Sequence, residues 1–166
     1  MLQIVAGAAI GALATLLVTW WSNRNSASRT ARRETYLDLL TMLQAALRVQ
    51  QSAVYDHTAP MPDIISNDKI DQFNARLEID SSPQVRELAK ASFQLIHRFN
   101  VSHMLRVPID VDDHGLFHHR FDLVRGVDEE AASLHIRMSL GKLHDDLQSA
   151  IDRLARRVRY EVHGAN

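Results

Sequence analysis

Apolar and polar residues alternate along the chain in distinct regimes. Residues 2–21, LQIVAGAAIGALATLLVTWW, carry no charge, and only Gln3, Thr15 and Thr19 are clearly polar. A bilayer core of about 30 Å takes roughly 20 apolar residues at helical rise. The run therefore predicts a transmembrane anchor over residues 1–22. Trp20 and Trp21 close it, where amphipathic indoles favour the headgroup boundary. A cleaved signal peptide would place positive charge before the apolar core and small residues after it. Here only the terminal amine precedes the run, and the two tryptophans fill the cleavage zone.

Beyond residue 22 the pattern becomes amphipathic. Ser26 or Ser28 offers an N-cap for a long helix reaching about His57, and Tyr36, Leu40, Leu43, Leu47 and Val54 recur at three- and four-residue spacing. Leu37, Leu39, Met42 and Val49 broaden that stripe. Residues 22–28 could instead continue the anchor helix as a polar neck. Two prolines at alternate positions in residues 58–66 stop the helix. A shorter one is predicted over residues 67–79, with Ile70, Phe73 and Leu77 on one face. Ser82 followed by Pro83 marks a new start, since serine suits the N-cap and proline the first helical position. Val85, Leu88, Leu95, Phe99 and Met104 give the third helix its apolar side, and Pro108 closes it. Residues 108–127 show no sustained period and read as a long connection with one helical turn. From Asp128 to about Val162 a last helix carries Leu140, Leu143, Leu147, Ile151, Leu154, Val158 and Val162 in 3–4 spacing. Asp128, Glu129 and Glu130 suit its positive amino end.

The expected fold is all-α: an N-terminal transmembrane helix followed by an antiparallel four-helix bundle. A long helical hairpin or coiled-coil stalk is the alternative, because the first and last helices are long. Three segments follow: a transmembrane anchor (1–22), a juxtamembrane basic neck (23–30) and a cytoplasmic helical domain (31–163).

The formal net charge is −1, so no global field draws the chain to nucleic acid, and no nucleic-acid partner is expected. The local distribution says more. Arg24, Arg29, Arg32 and Arg33 follow the anchor and nothing comparable precedes it. Positive residues stay inside, which predicts the inner (plasma) membrane, single-pass, with the amino terminus outside and the domain in the cytoplasm. In an up-down bundle the fourth helix returns to the membrane, bringing Arg153, Arg156, Arg157 and Arg159 beside the first arginine group as a membrane-surface collar. The 108–130 segment, rich in Asp and Glu, should lie at the far tip. Within the anchor, Gly7 and Gly11, continued by Thr15, form a small-residue face that could pair two copies into a homodimer.

Candidate chemistry is sparse. There is no cysteine, hence no disulfide, thiolate metal site or cysteine nucleophile. Asp110, His114, His118 and Asp122 stand four apart, and on a helix they would share a face able to offer ligands to zinc, nickel or manganese. Gly115 and Pro108 argue against a helix there, no HExxH pattern is present, and a solvated polar loop is the simpler reading. The Asp110–Gly115 stretch fails as a calcium loop, because Phe121 stands where a bidentate glutamate is required. Histidines 57, 97, 103, 135 and 144 read as surface or satisfied groups. No phosphate loop, dinucleotide fingerprint or nucleophile elbow occurs. The chain is thus expected to be non-enzymatic and to need no cofactor.

The anchor, the juxtamembrane ARRETYLDLL (residues 31–40) and the SSPQVRELAKAS stretch (residues 81–92) together resemble a loose class of small single-pass membrane proteins of GC-rich Gram-positive bacteria and their phages. The resemblance covers most of the chain but carries no catalytic motif. It implies an address and transfers no active site. The expected role is a membrane-tethered module presenting a helical domain to a protein partner. The resemblance adds an alternative, a prophage-encoded exclusion or phage-defence protein, and the 108–122 segment adds a metal-dependent enzyme.

Overall fold

The computed structural model describes residues 2–56, 65, 67–111 and 117–163, with side chains from Ser28 onward except at positions 67, 111 and 117. Four helices account for most of it: α1 Leu2–Tyr55, α2 Asn67–Asp80, α3 Pro83–Leu105 and α4 Glu129–His163. Between α3 and α4 lie two three-residue strands, β1 Ile109–Val111 and β2 Phe117–His119, and a single 3-10 turn, Phe121–Leu123. Among the described residues the fold is all-α apart from that hairpin. Among the described residues no helix is long and apolar enough to cross a membrane. The side chains of residues 2–27 fall outside that description, and with them the predicted anchor, including Gly7, Gly11, Thr15, Trp20, Trp21 and Arg24.

α1 runs through the predicted neck without a break. Neither Ser26 nor Ser28 caps a new helix, because residues 22–33 contain no proline or glycine to end the first one. Other starts fall where the sequence puts them. The Ser82 hydroxyl accepts the backbone N–H of Val85 at 3.3 Å, with Pro83 in the first turn of α3. Asp128 Oδ1 accepts the N–H of Ala131 at 2.8 Å ahead of α4. α3 ends at Arg106 in the left-handed region (φ 50°), two residues before Pro108.

The helices run up-down-up-down. At one end Arg32 Nε donates to the Asp80 carbonyl at 2.8 Å and Tyr36 donates to Glu161 at 2.6 Å. The middle of α1, around Arg32 and Tyr36, therefore meets both the end of α2 and the end of α4. At the other end the N–H of Ile109, just past α3, donates to Ser139 Oγ near the start of α4 at 3.2 Å. Between the Ser139 and Glu161 levels, α4 rises about 33 Å at 1.5 Å per residue. The main core joins all four helices: Tyr36, Leu39, Leu43 and Leu47 meet Leu77, Val85 and Ile96, and these meet Leu147, Ile151, Leu154 and Val158. The participation of α2 and α3 makes this a bundle rather than a hairpin stalk. A second, smaller cluster of Ala53, Phe99, Ile136, Leu140 and Leu143 fills the distal half.

The α4 stripe is buried as its spacing predicts, while those of α1 and α3 are rotated. Their buried positions are Thr35, Tyr36, Leu39, Leu43, Ala46, Leu47, Gln50 and Ala53 in α1, and Val85, Ala89, Ser92, Phe93, Ile96, Phe99, Ser102 and His103 in α3. Leu37 and Met104, both expected inside, are exposed. Small and polar residues occupy core positions, so large hydrophobes alone misplace the axis of the stripe. The unforeseen hairpin replaces the long connection, although the single helical turn expected there is present at residues 121–123.

Candidate functional site

The two ends of the bundle are built differently, and the distal end carries the concave surface. It begins where α3 stops. Val107 donates its N–H to the Ser102 carbonyl and accepts the Ser102 hydroxyl at 2.8 Å, which buries Val107 and turns the chain back toward α4. β1 then pairs antiparallel with β2 in the register Ile109↔His119, Asp110↔His118, Val111↔Phe117. Ser139 holds the outer edge of β1 through the Ile109 N–H. After the 3-10 turn, Gly126 adopts φ +81°, where an L side chain would be strained, and Asp128 opens α4.

The hairpin stands over α3 and α4 and leaves a hollow on each side. One, of about 430 Å³, lies toward α4 and is lined by Ile109, Arg120, Leu123, His135, Met138 and Lys142, among others. The other, of about 260 Å³, lies toward α3 between Gln94, His97, Val101 and His119. Arg98 and Ile109 form the wall that both share. Burial holds the Arg98 guanidinium below its ordinary range, and Asp146 pulls it partly back. Around these hollows Phe121, Leu134 and Met138 are exposed, as are Met104, Leu105 and Val127. Leu134 and Met138 are one helical turn apart on the outer side of α4, off its buried stripe. An apolar pair off the stripe is the signal in the sequence that could have found this surface.

The predicted Asp/His cluster partly converges, by a different geometry. Asp110 and His118 are cross-strand partners rather than neighbours on a helical face. Arg120 bridges the two aspartates, donating to Asp110 at 3.3 Å and to Asp122 at 2.7 Å. Its hydrogen bonds hold the Asp122 carboxyl below the usual carboxylate range. The positive charge a metal would bring to these carboxylates is thus already supplied by a guanidinium. His114 lies outside the described residues, and among the described residues no three potential ligands are placed to hold an ion. Of the isolated histidines, His103 is buried and stacks on Phe99, with centroids 6.4 Å apart, while His97, His119 and His135 line the hollows. His57 lies outside the described residues.

The opposite end is closed by a polar clasp. Glu161 accepts from Tyr36 at 2.6 Å, from Arg157 at 2.8 Å, and from the Ser82 hydroxyl, joining α1, the α3 cap and α4. Burial pushes the Glu161 carboxyl up, but these three donors outweigh it and hold the group below its ordinary range. Burial first, then the hydrogen bond to Glu161 and that group's charge, push the Tyr36 phenol far above its usual value. Thr35 donates to Asp80 at 3.1 Å, and Arg76 pairs with Asp38 at 3.0 Å. Two members of the predicted arginine collar therefore serve the fold: Arg32 holds Asp80, and Arg157 holds Glu161 and lies over the Tyr160 ring. Arg29, Arg33, Arg153, Arg156 and Arg159 are exposed at this same end.

No family model, curated protein or solved structure matches this chain.

Proposed function

We propose that this chain is a membrane-tethered, non-enzymatic interaction module, anchored by residues 1–22 in the inner membrane with its helical domain in the cytoplasm. The distal tip is the surface that docks a protein partner. The observation that carries this reading is the exposure of Met138 in the lining of the hollow of about 430 Å³, with exposed Leu134 one helical turn before it and exposed Phe121 next in sequence to the lining residue Arg120. Exposed apolar side chains at a concavity are a mark of a protein-binding site. The tether is supported by the uncharged run of residues 2–21 and by the arginines that follow it. Gly7, Gly11 and Thr15 supply a face through which two anchors could pair.

The test is crosslinking and pull-down of the full-length protein from its native membrane, beside a Leu134→Glu/Met138→Glu variant. Both side chains are exposed and outside the two core clusters, so the variant should keep its wild-type helical circular dichroism. It should lose the crosslinked partner while an Arg48→Ala control on the wet face of α1 keeps it. Equal recovery by all three proteins would remove the tip from the account. A reporter fused after Asn166 should be active only in the cytoplasm, and periplasmic activity would overturn the topology.

A further inference from the structure

The arginines at the clasp end fall into two classes that the sequence does not separate. Arg76, Arg86 and Arg157 pair with the carboxylates of Asp38, Glu78 and Glu161, and Arg32 donates to the Asp80 backbone carbonyl. Among the described residues no hydrogen bond or ion pair engages Arg29, Arg33, Arg153, Arg156 or Arg159. Arg153 and Arg156, with exposed Tyr160 and His163, stand at spacings of three, four and three on the side of α4 opposite Leu147, Ile151, Leu154 and Val158, and Arg159 flanks them. Arg29 and Arg33 lie one turn apart on α1, just beyond the last core layer. Glu34 and Asp152 are the exposed carboxylates among them, too few to neutralise five guanidiniums. This pattern runs along the flank of α4 for about 15 Å at helical rise rather than capping its end. An upright bundle would direct that flank parallel to the bilayer, where most of it meets only water.

Resting on the tethered reading above, we infer that the outer face of the last three turns of α4 is a docking surface for the phosphates of anionic lipid headgroups, so that the bundle leans on the inner leaflet instead of standing away from it. Guanidinium pairs bidentately with phosphate. An anionic leaflet supplies a dense array of such groups within the reach of long side chains. Tyr160 adds an aromatic ring of the kind enriched at the interface. Continuity with the uncharged α1 run, and complementarity of charge, point to lipid rather than to another anion.

The chain has no cysteine, so a single label can report position without background. Full-length protein carrying a fluorophore at Ser149→Cys, on the same α4 face and about 20 Å before the helix end, is reconstituted in nanodiscs with a headgroup-borne quencher. The discs contain phosphatidylcholine alone or phosphatidylcholine with phosphatidylglycerol. Quenching should be several-fold stronger in the anionic discs. It should fall to the neutral-disc level in Arg153→Gln/Arg156→Gln/Arg159→Gln and be kept in the matching triple lysine variant. Equal quenching in both discs, or no change in the glutamine variant, would overturn the inference while leaving the tether intact. Loss of anionic-disc quenching on adding free inorganic phosphate at matched ionic strength, or on adding a short duplex DNA, would also overturn it, by assigning the arginines to a soluble anion or to nucleic acid. Failure of the chain to enter either disc, together with its release by alkaline carbonate, would remove the tether and this inference together.

Discussion

The clasp end and the tip end of this bundle solve the same problem, closing a set of helices, with opposite materials. At the clasp, one carboxylate takes three donors from three different elements, and the adjoining core joins all four helices. At the tip, closure falls to a two-stranded hairpin, one 3-10 turn and a five-residue cluster, and seven large apolar side chains stay in solvent, against Leu37, Ile79 and Tyr160 at the clasp. Saturated polar groups and a full core give a rigid end suited to holding a fixed attitude. Unspent apolar surface over shallow hollows gives an end suited to meeting something else. The boundary between the halves is marked by Gln50, fully buried at a core position, with neither Oε1 nor Nε2 partnered by any described protein group.

The largest expected contrast comes from truncating one side chain at each end. Leu154→Ala opens a cavity in the fully buried proximal core and should cost about 2–5 kcal/mol, read as a lower urea midpoint in one cooperative transition. Met138 is mostly exposed at the tip, and Met138→Ala should fall at the bottom of the scale. A midpoint for Leu154→Ala close to that of the wild type would remove the distinction between the ends.

Next is the clasp itself. Tyr36→Phe leaves a buried carboxylate one donor short and should cost roughly 1–3 kcal/mol. Its pH signature is specific. The Tyr36 phenol is raised, so its contribution is complete below the ordinary tyrosine value near 10 and is lost as pH rises beyond it. The Glu161 carboxyl is depressed, so its contribution is complete above the ordinary glutamate value of about 4.3 and is lost as pH falls below it. Wild-type stability should decline on both limbs. Tyr36→Phe should flatten the alkaline limb and Glu161→Gln the acidic one. Unchanged limbs in both variants would show that the clasp carries neither.

Gln50→Leu should stabilise by about 1–2 kcal/mol, because an unmet buried amide is replaced by apolar volume of similar size. A loss instead would mean that the amide is hydrogen-bonded in solution. Gly141→Ala should add up to about 1 kcal/mol, since glycine is a poor helix residue and an added Cβ there would meet no atom within 4 Å. Thermal melts decide both, and a destabilised Gly141→Ala would reveal a close approach at that turn.

Much of this architecture was legible in the sequence, for identifiable reasons. Ser82-Pro83 and Asp128 set helix starts through chemistry that is local, and the α4 stripe is nearly all Leu, Ile and Val, so its face was plain. The α1 and α3 stripes were harder to read. Ala46, Gln50 and Ala53 in one, and Ala89, Ser92 and Ser102 in the other, occupy buried positions without being large hydrophobes. The hairpin escaped because three-residue strands are too short to show a period. The meeting of the two arginine groups followed from helix parity alone. Which arginines are spent internally did not, since Arg157 is engaged by Glu161 one turn on while Arg159, two residues along, points away on an exposed face. At the tip, Arg98 and Ser139 carried no signal: their roles depend on where the hairpin lands.

The smallest stability effect carries the functional half of the contrast. Met138→Ala should change stability by less than about 0.5 kcal/mol, yet weaken partner crosslinking, because the exposed side chain has contacts to lose only in the complex. A large stability loss would place Met138 in the core and withdraw the tip as a free surface.

If the clasp end of the bundle faces the bilayer and the tip faces away, as proposed, depth measurement on the reconstituted full-length protein will read that difference. Single fluorophores at His163→Cys and Val127→Cys sit at opposite ends of α4, about 50 Å apart at helical rise. With a headgroup-borne quencher in anionic nanodiscs, the label at 163 should be strongly quenched and the label at 127 should behave as in bulk water. Equal quenching at both positions, or the reverse order, would contradict the account.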